Sequence, residues 1–321
     1  MKESKLSIPT FQRRHHTFAL CLSFVLTAAL HLLAVSHAAA GEIEPRAYGN
    51  APVGVNFLIA GYGHSQGGLS TDSSSPLMDA HIRVDKVILA YARTLDIFGN
   101  PGKLDVMLPY SDLSGNAMVF GAYRERSVSG LDDPRLRISV NFVGAPVLAV
   151  KEFAGWQQEL LVGASIQVSA PFGQYDSDKL VNIGNNRWFV KPEIGISRAW
   201  NRVTLELSTG AFIFSDNTNY FGGKKLEQDP VSSSQAHVMY SFDRGMWAAL
   251  SATYDYGGRS TVNGVKNNDL QSNSRLGATF SMPIDRNNSA KLYASRGVST
   301  RSGTDYDLVG IAWQYRWGNG L

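Results

Sequence analysis

The stretch Asp305-Tyr306-Asp307-Leu308-Val309-Gly310-Ile311-Ala312-Trp313-Gln314-Tyr315-Arg316-Trp317 alternates between two kinds of residue. Its odd positions from 309 onward are Val, Ile, Trp, Tyr and Trp, and its even positions from 308 onward are Leu, Gly, Ala, Gln and Arg. Successive side chains of a β-strand point to opposite faces, so this segment predicts a strand with one continuous apolar face that ends in aromatic rings. Such a face has to be covered by a protein core or by lipid, and the rest of the chain indicates which.

The first forty residues have the organisation of a secretory signal peptide. Basic residues precede an apolar run over 18–35, and Ala38-Ala39-Ala40 offers an A-x-A cleavage site before Gly41. We therefore predict a signal peptide over 1–40 and a barrel domain over 41–321. An uncleaved transmembrane anchor is the alternative, because the apolar run is nearly long enough to span a bilayer.

The charge and cysteine content of the predicted mature chain exclude several classes of function. The whole chain has 30 basic and 27 acidic residues, of which residues 1–40 carry four and one, so 26 of each are left. A neutral mature chain gives no electrostatic indication of nucleic-acid binding. The single cysteine, Cys21, lies in the signal peptide, which excludes disulfides, a catalytic thiolate and cysteine-ligated zinc from the mature chain.

Strand-like segments of about ten residues recur after residue 40, separated by clusters of Gly, Asn, Asp, Ser and Pro. The faces opposite their apolar residues are rich in Gly and Ser, which suits the interior (lumen) of a barrel. We place ascending strands at 53–62, 103–112, 157–169, 203–213, 246–256 and 290–297, and descending strands at 81–96, 134–144, 188–198, 235–242, 273–283 and 305–317. Since an open sheet edge in hydrocarbon leaves backbone groups unpaired, the sequence predicts an all-β fold, a transmembrane antiparallel up-and-down β-barrel of about 12 strands.

The connections between these strands alternate in length. Tight turns are expected at 199–202, 243–245 and 285–288, and long polar loops at 63–79, 173–187, 215–234, 257–272 and 297–304. Short connections on one side and long ones on the other are typical of bacterial outer-membrane barrels. The segment 116–128 also looks strand-like, and we interpret it as an external hairpin extension or an inward-folded loop, because a thirteenth spanning strand would spoil the even number.

Aromatic residues lie where the membrane–water boundaries are expected. Trp200 and Trp247 are near tight turns, Tyr315 and Trp317 end the last strand, and Tyr254 is close to an outer loop, as is Tyr256. Ordinary aromatic packing in a soluble β-protein is the alternative interpretation.

The strand alternation predicts seven charged side chains that point into the lumen. They are Arg135, Arg137, Lys191, Glu193, Glu206, Asp255 and Arg275. Charges of both signs in a pore can set its electric field, or they can hold a plugged barrel together.

Candidate catalytic and metal-binding residues are few. The three histidines of the mature chain, His64, His81 and His237, lack metal-ligand spacing, and we expect them in loops or at strand ends. The chain has a G-x-S-x-G sequence at 63–67 (GHSQG), but no strand–turn–helix pattern follows it, so we predict that it is not an enzyme. Asp176 and Asp178 are expected in a solvated turn, with a calcium site as the alternative. We expect no cofactor and no catalytic or metal residues.

Six segments carry a family resemblance: 48–57 (YGNAPVGVNF), 108–110 (LPY), 130–136 (GLDDPRL), 169–175 (SAPFGQY), 186–193 (NRWFVKPE) and 228–230 (QDP). Together they resemble the family named for the MetA pathway of phenol degradation, over nearly all of residues 45–317. The resemblance implies an outer-membrane, transporter-like β-barrel that passes a small aromatic or otherwise apolar molecule. It implies no particular binding residues.

We therefore expect a channel in the cell outer membrane of a Gram-negative bacterium, for passive uptake of small hydrophobic or aromatic compounds. The expected partners are the lipid bilayer of the outer membrane, the solute and the barrel assembly machinery, and no nucleic acid is expected. The alternatives are a structural or adhesive barrel with a blocked lumen, a barrel hydrolase, and a soluble periplasmic β-sandwich.

Overall fold

The computed structural model describes residues 43–70, 77–119 and 121–318, and this part of the chain is mostly β-structure. The predicted signal peptide lies outside the described residues. The strands are β1 (Val55–Ser70), β2 (Leu77–Ile97), β3 (Asn100–Val119), β4 (Ala122–Leu131), β5 (Arg135–Val143), β6 (Leu160–Ser169), β7 (Phe189–Trp200), β8 (Val203–Phe214), β9 (Asn217–Tyr220), β10 (Lys224–Gln228), β11 (Val231–Ser241), β12 (Trp247–Gly257), β13 (Ser260–Val262), β14 (Val265–Lys266), β15 (Gln271–Pro283), β16 (Asn288–Thr300) and β17 (Gly303–Gly318). One short α-helix, α1 (Val150–Phe153), lies between β5 and β6.

Twelve of the described strands form a closed antiparallel barrel, as the sequence predicts. Their order around the barrel is β1, β2, β3, β5, β6, β7, β8, β11, β12, β15, β16 and β17. The ring closes where β1 pairs with β17, from Val55 opposite Gly318 to Ser70 opposite Gly303. Each of these strands therefore has a partner on both sides, which leaves no unpaired edge in hydrocarbon.

The outer face of the barrel changes from aliphatic to aromatic to charged within three rows of side chains. One row across β17, β1, β2 and β3 contains Trp313, Ala60, Leu89 and Leu108. The next row toward the external end contains Ile311, Tyr62, Val87 and Tyr110, and the row after that contains Val309, His64, Asp85 and Asp112. This sequence of rows marks the outer boundary of the hydrocarbon region, with tyrosines at the interface.

Aromatic rings also mark the periplasmic boundary. The rings of Tyr315 and Trp317 stack at the end of β17, with a centroid distance of 5.6 Å. Trp200, at the end of β7, is exposed on the outer surface. These positions fit the interfacial preference of amphipathic rings.

Two of the predicted long loops are instead continuations of strands. The expected loop over 63–79 was wrong, because β1 extends to Ser70 and β2 begins at Leu77. The expected loop over 297–304 was also wrong, since residues 301–302 join β16 to β17. Polar residues do not prevent pairing where strands project beyond the bilayer into water. The interpretation of 116–128 as a hairpin extension is confirmed, because β4 pairs with the outer half of β3 from Ala122 to Leu131.

Two other external connections form a small second sheet. Segments predicted as loops over 215–234 and 257–272 contribute β9, β10, β13 and β14, in the order β14-β13-β10-β9. Tyr220, Leu226 and Val262 are buried together in this sheet. The external face of the barrel therefore has folded structure of its own.

The periplasmic connections are short except for one. Residues 144–159 link β5 to β6 and include α1, and Phe153 and Trp156 of this connection border the cavity in the lumen. No helix in the described ranges has the length and apolar character needed to cross a membrane.

We expect Leu250→Arg to lower the free energy of unfolding by about 2–4 kcal/mol, because it places a charge near the middle of the lipid-facing surface. Leu250 lies on β12 with its side chain 70% exposed, between Ala248 and Ala252 on the outer face. Denaturant unfolding in lipid vesicles measures the effect. Val265→Arg, on the exposed surface of the external sheet, is the matched control and should change stability little. Equal losses in the two variants would contradict the lipid-facing assignment.

Candidate functional site

The inner faces of β1 and β2 are apolar. Phe57 and Ile59 of β1 and Ile82, Val84 and Ile88 of β2 border the lumen. Both strands also have apolar side chains on the outer face, so they lack the polar inner face that the other predicted strands have. We call this surface, completed by Leu308 and Ala312 of β17, the apolar wall; Lys86 of β2 also lies in it.

A cavity of about 1180 Å³ lies beside the apolar wall. Its lining includes Asn185 and Thr304 at the external end and Arg244 and Asp285 at the periplasmic turns. The cavity therefore extends along the barrel from one end to the other. Its volume exceeds the roughly 300–1,000 Å³ of common small-molecule pockets, so a small organic molecule fits inside.

Glycines allow Tyr293 to lie flat against the apolar wall. A Cβ atom at Gly310 would collide with the Tyr293 ring, and one at Gly63 would lie 3.3 Å from its hydroxyl oxygen. That hydroxyl donates a hydrogen bond to the carbonyl oxygen of Tyr62 at 3.3 Å. The ring is thus fixed against the wall and leaves the centre of the lumen open.

Gly61 has a different environment. A Cβ atom there would lie 3.7 Å from the Cβ of Ala312 and 3.8 Å from the Cβ of Ile88, which are ordinary contact distances. A larger side chain at position 61 would therefore extend into the cavity without disturbing the wall. The glycine at this position keeps the passage wide.

Residues 43–54, the N-terminal segment, occupy the opposite side of the lumen. The end of the segment is attached at the periplasmic rim, where Val53 N donates to Leu148 O at 2.9 Å and Gly54 N donates to Thr94 O at 3.1 Å. The Thr94 hydroxyl donates to Pro52 O at 2.7 Å. These bonds fix the point at which the chain turns from the lumen into β1.

Tyr48 is the central contact of the N-terminal segment and is 1% exposed. Its ring covers Gly163 of β6 and Gly195 of β7, which are direct cross-strand partners, and a Cβ at either glycine would collide with it. The hydroxyl donates to Glu193 Oε1 at 2.9 Å and lies 3.3 Å from Ser165 Oγ. A buried aromatic ring with a satisfied hydroxyl is a strong anchor for an otherwise irregular segment.

Charged contacts add to this attachment. Glu44 forms an ion pair with Arg137 of β5, and Ala47 N donates to Glu206 Oε1 of β8 at 3.0 Å. Glu44 N also donates to Gln235 Oε1 at 3.3 Å. The polar half of the lumen is therefore largely occupied by the chain itself.

The structure places the seven charged residues predicted to line the lumen in three settings. Arg135 and Arg137 border the open cavity. Arg137, Glu193 and Glu206 contact the N-terminal segment, and Lys191 forms an ion pair with Glu193 at 2.7 Å. Nearer the external end, Asp255 is buried, and Arg275 donates to Tyr306 O at 3.0 Å with its guanidinium 3.6 Å from the centroid of the Tyr306 ring. A role of these residues toward a solute stays a prediction.

The expectation that histidines lie in loops or at strand ends was wrong for two of them. His64 lies within β1 on the outer face, where its Nδ1 is 2.8 Å from Asp85 Oδ1. His237 lies in the middle of β11, buried in the lumen, with its Nδ1 2.8 Å from Ser251 Oγ. Continuous strand pairing accommodates both residues, because their side chains find hydroxyl or carboxylate partners on the neighbouring strand.

Asp176 and Asp178 lie in the external connection between β6 and β7. Asp176 Oδ1 accepts a hydrogen bond from Asp178 N at 2.9 Å, which is turn geometry. In the described ranges, no three acidic, histidine or cysteine side chains are grouped so that they could hold a metal ion.

Sequence reasoning missed the N-terminal segment and the apolar wall. The segment does carry a signal, since Pro45 and Asn50-Ala51-Pro52 interrupt any strand pattern directly before β1. The apolar wall also has a signal in the sequence. On β2, the inward-facing residues 82, 84 and 88 are apolar, and so are the outward-facing residues 87 and 89. Apolar side chains on both faces of a strand in a membrane barrel indicate a lumen that is locally apolar.

A closed barrel with a lipid-facing apolar surface and aromatic boundaries defines this chain as an outer-membrane β-barrel protein. A family model described as "Putative MetA-pathway of phenol degradation" matches residues 65–314. The chain belongs to this family, as the resemblance in its sequence predicts.

A solved structure shows the same fold. The chain is similar to an outer-membrane channel from Pseudomonas putida F1, with 20% sequence identity and a TM-score of 0.73, over 86% of this chain and 100% of that one. It is more distantly similar to the transport unit of the autotransporter AIDA-I from Escherichia coli, with 10% identity and a TM-score of 0.48, over 91% and 97% of the two chains. Among curated proteins, no match to this chain was found.

We expect Gly195→Leu to displace the N-terminal segment, because the new side chain would occupy the position of the Tyr48 ring. Single-channel conductance in planar bilayers should rise several-fold as the polar half of the lumen opens. Ile194→Leu is the control, since Ile194 is the neighbouring residue on β7 and its side chain is exposed on the outer face. Conductance equal to that of the unaltered protein in both variants would show that the segment does not limit the pore.

Proposed function

We propose that this protein is a passive outer-membrane channel for small hydrophobic or aromatic compounds. The observation that carries the proposal is the cavity of about 1180 Å³ that lies along the apolar wall. A hydrophilic pore would be lined by polar groups throughout, whereas β1 and β2 present Phe57, Ile59, Ile82, Val84 and Ile88. Membership of the phenol-degradation family supports an aromatic solute.

The proposed route begins among the external segments near Asn185 and Thr304. The solute then moves along β1, β2 and β17, where Gly61 leaves the surface free of a side chain. It leaves near the periplasmic turns around Arg244 and Asp285. No energy source is needed, since transfer of an apolar solute from water to an apolar surface is favourable and the reverse step follows the concentration gradient.

The N-terminal segment gives this channel its selectivity. It fills the half of the lumen that contains most of the charges, so water and hydrophilic solutes lose their widest path. Glu44, Ala47 and Tyr48 hold it there through Arg137, Glu206 and Glu193. The apolar path beside it stays open.

A structural barrel with a blocked lumen is the main alternative, and the filled polar half of the lumen favours it. The cavity argues against it, because a barrel that needs only rigidity would fill the space along the apolar wall with side chains. The glycine at position 61 instead leaves this space without a side chain.

A barrel hydrolase is the other alternative, and the contact between His237 and Ser251 is the observation in its favour. These two residues are 2% and 4% exposed. A substrate would not reach the serine hydroxyl while the lumen has this arrangement. We therefore favour transport over catalysis.

The proposed channel has two partners besides its solute, the membrane lipid and the machinery that inserts it. The lipid bilayer of the outer membrane contacts its outer face. We propose that the signal peptide directs export and that the barrel assembly machinery inserts the folded strands.

We expect Gly61→Leu to reduce uptake of aromatic solutes such as toluene and naphthalene, with a larger effect on the wider molecule. The new side chain would project into the cavity opposite Ile88 without a clash, so folding should be preserved. Solute uptake into proteoliposomes measures the effect, and heat-modifiable migration on a gel verifies the fold. Ala60→Leu, the adjacent residue on the lipid-facing side, is the control. Uptake unchanged by Gly61→Leu for every solute, despite measurable uptake by the original protein, would argue for the blocked barrel.

A further inference from the structure

Three cationic side chains meet at one place in the lumen. The guanidinium of Arg46 lies over the Trp247 ring at 5.0 Å from its centroid, and the ammonium of Lys291 lies 5.8 Å from the same centroid. Lys103 of β3 faces the same cavity and acts electrostatically on Lys291, as does Arg46. We call Arg46, Lys103, Lys291 and Trp247 the cationic cluster.

The carboxylates nearest to the cationic cluster are already engaged. Glu44 forms an ion pair with Arg137, and Glu206 accepts the hydrogen bond from Ala47 N. Asp105 is shared, at 3.6 Å from Lys103 Nζ and 3.8 Å from Arg137 Nε. Within residues 43–70, 77–119 and 121–318, neither Arg46 nor Lys291 has a carboxylate at ion-pair distance.

Like charges in a confined space are unfavourable unless an anion accompanies them. Trp247 offsets part of the repulsion between Arg46 and Lys291, because the face of an aromatic ring attracts cations. Within the described ranges no protein acceptor takes the hydrogen-bond donors of Arg46 and Lys291, so these donors face the cavity. The arrangement therefore suits an external anion that reaches the cluster through the cavity.

The strand register places an apolar surface beside the cationic cluster. One inward-facing row runs across β12, β15, β16, β17, β1 and β2 and contains, in order, Trp247, Ser281, Lys291, Ala312, Gly61 and Ile88. Its first half is cationic and polar and its second half is apolar. A ligand bound across this row has an anionic group at Lys291 and an apolar body at Gly61 and Ile88.

We propose that the cationic cluster is a binding site for the carboxylate of an amphipathic solute, such as an aromatic or aliphatic monocarboxylate, whose apolar body lies on the apolar wall. This inference rests on the proposed channel function and specifies a substrate class for it. Arg46 and Lys291 donate hydrogen bonds to the carboxylate, with Ser281 beside them. Because Arg46 belongs to the N-terminal segment, the bound anion also connects that segment to the barrel wall.

Binding of two matched pairs of probes tests the proposal. Benzoate is compared with benzyl alcohol, and octanoate with 1-octanol, so each pair shares its apolar body and differs in charge. The complete mature protein in a nonionic detergent is titrated by calorimetry. The unaltered protein should bind each carboxylate more tightly than the corresponding alcohol.

Lys291→Met should weaken carboxylate binding about tenfold, as expected for the loss of one charge-assisted hydrogen bond, and leave alcohol binding unchanged. Lys291→Arg should retain carboxylate binding. Arg46→Gln should weaken carboxylate binding to a similar extent. Because Arg46 lies outside the barrel strands, this variant still tests the proposal if Lys291→Met does not fold. Lys266→Met, in the external sheet, is the control for the loss of a positive charge and should have no effect.

Carboxylate affinities unchanged in both Lys291→Met and Arg46→Gln would overturn the proposal. Equal losses for carboxylates and alcohols would overturn it as well, because they would indicate altered apolar packing instead of a charge interaction. The proposed channel function is tested separately, by uptake of neutral solutes. If neutral aromatics still enter proteoliposomes and Gly61→Leu still slows them, the channel stands even though the anion site fails.

Discussion

The closed ring of backbone hydrogen bonds between strands is the constraint on which the rest of this structure depends. In hydrocarbon an unpaired N–H or C=O group costs several kcal/mol, so every spanning strand needs two neighbours. The pairing of β1 with β17 satisfies this requirement for the two strands that would otherwise be edges. Once the ring is closed, the alternation of side chains assigns each residue either to lipid or to the lumen, and the composition of each face follows.

Closure also creates a problem in the interior, because twelve strands enclose more space than their inward side chains fill. The chain solves it differently in the two halves of the lumen. On the side of β5 to β11, charged and polar residues hold the N-terminal segment, and paired glycines at 163 and 195 make room for Tyr48. On the side of β1, β2 and β17, no such filling occurs, and an apolar passage is left. In the channel that we propose, selectivity for apolar solutes comes from filling one half of the lumen and leaving the other open.

Most of the fold could be predicted because the signals for it are local. Alternation with period two identifies strands such as 305–317, and tight turns such as 285–288 contrast with longer external segments. Errors arose where the bilayer no longer constrains the chain. At 63–70 and 297–300 the residues are mostly polar or glycine, yet they continue to pair, because a hairpin begun in the membrane can extend into water. The inward direction of the seven predicted charged residues followed from alternation, whereas their contacts could not be obtained from it.

The sequence by itself determined that this chain is an outer-membrane barrel of about twelve strands. The alternation of apolar and polar residues, the aromatic residues at strand ends and the number of strands can all be recognised from residues close together in the chain. The sequence also identified the family, through short segments such as 186–193. Only the tertiary structure decided which parts of the lumen are filled and which are open. Arg46 meets Lys291, and Tyr48 meets Gly195, across separations of more than a hundred residues. Such contacts depend on the register of all the strands between them and on the path of the segment before β1, neither of which a local pattern specifies.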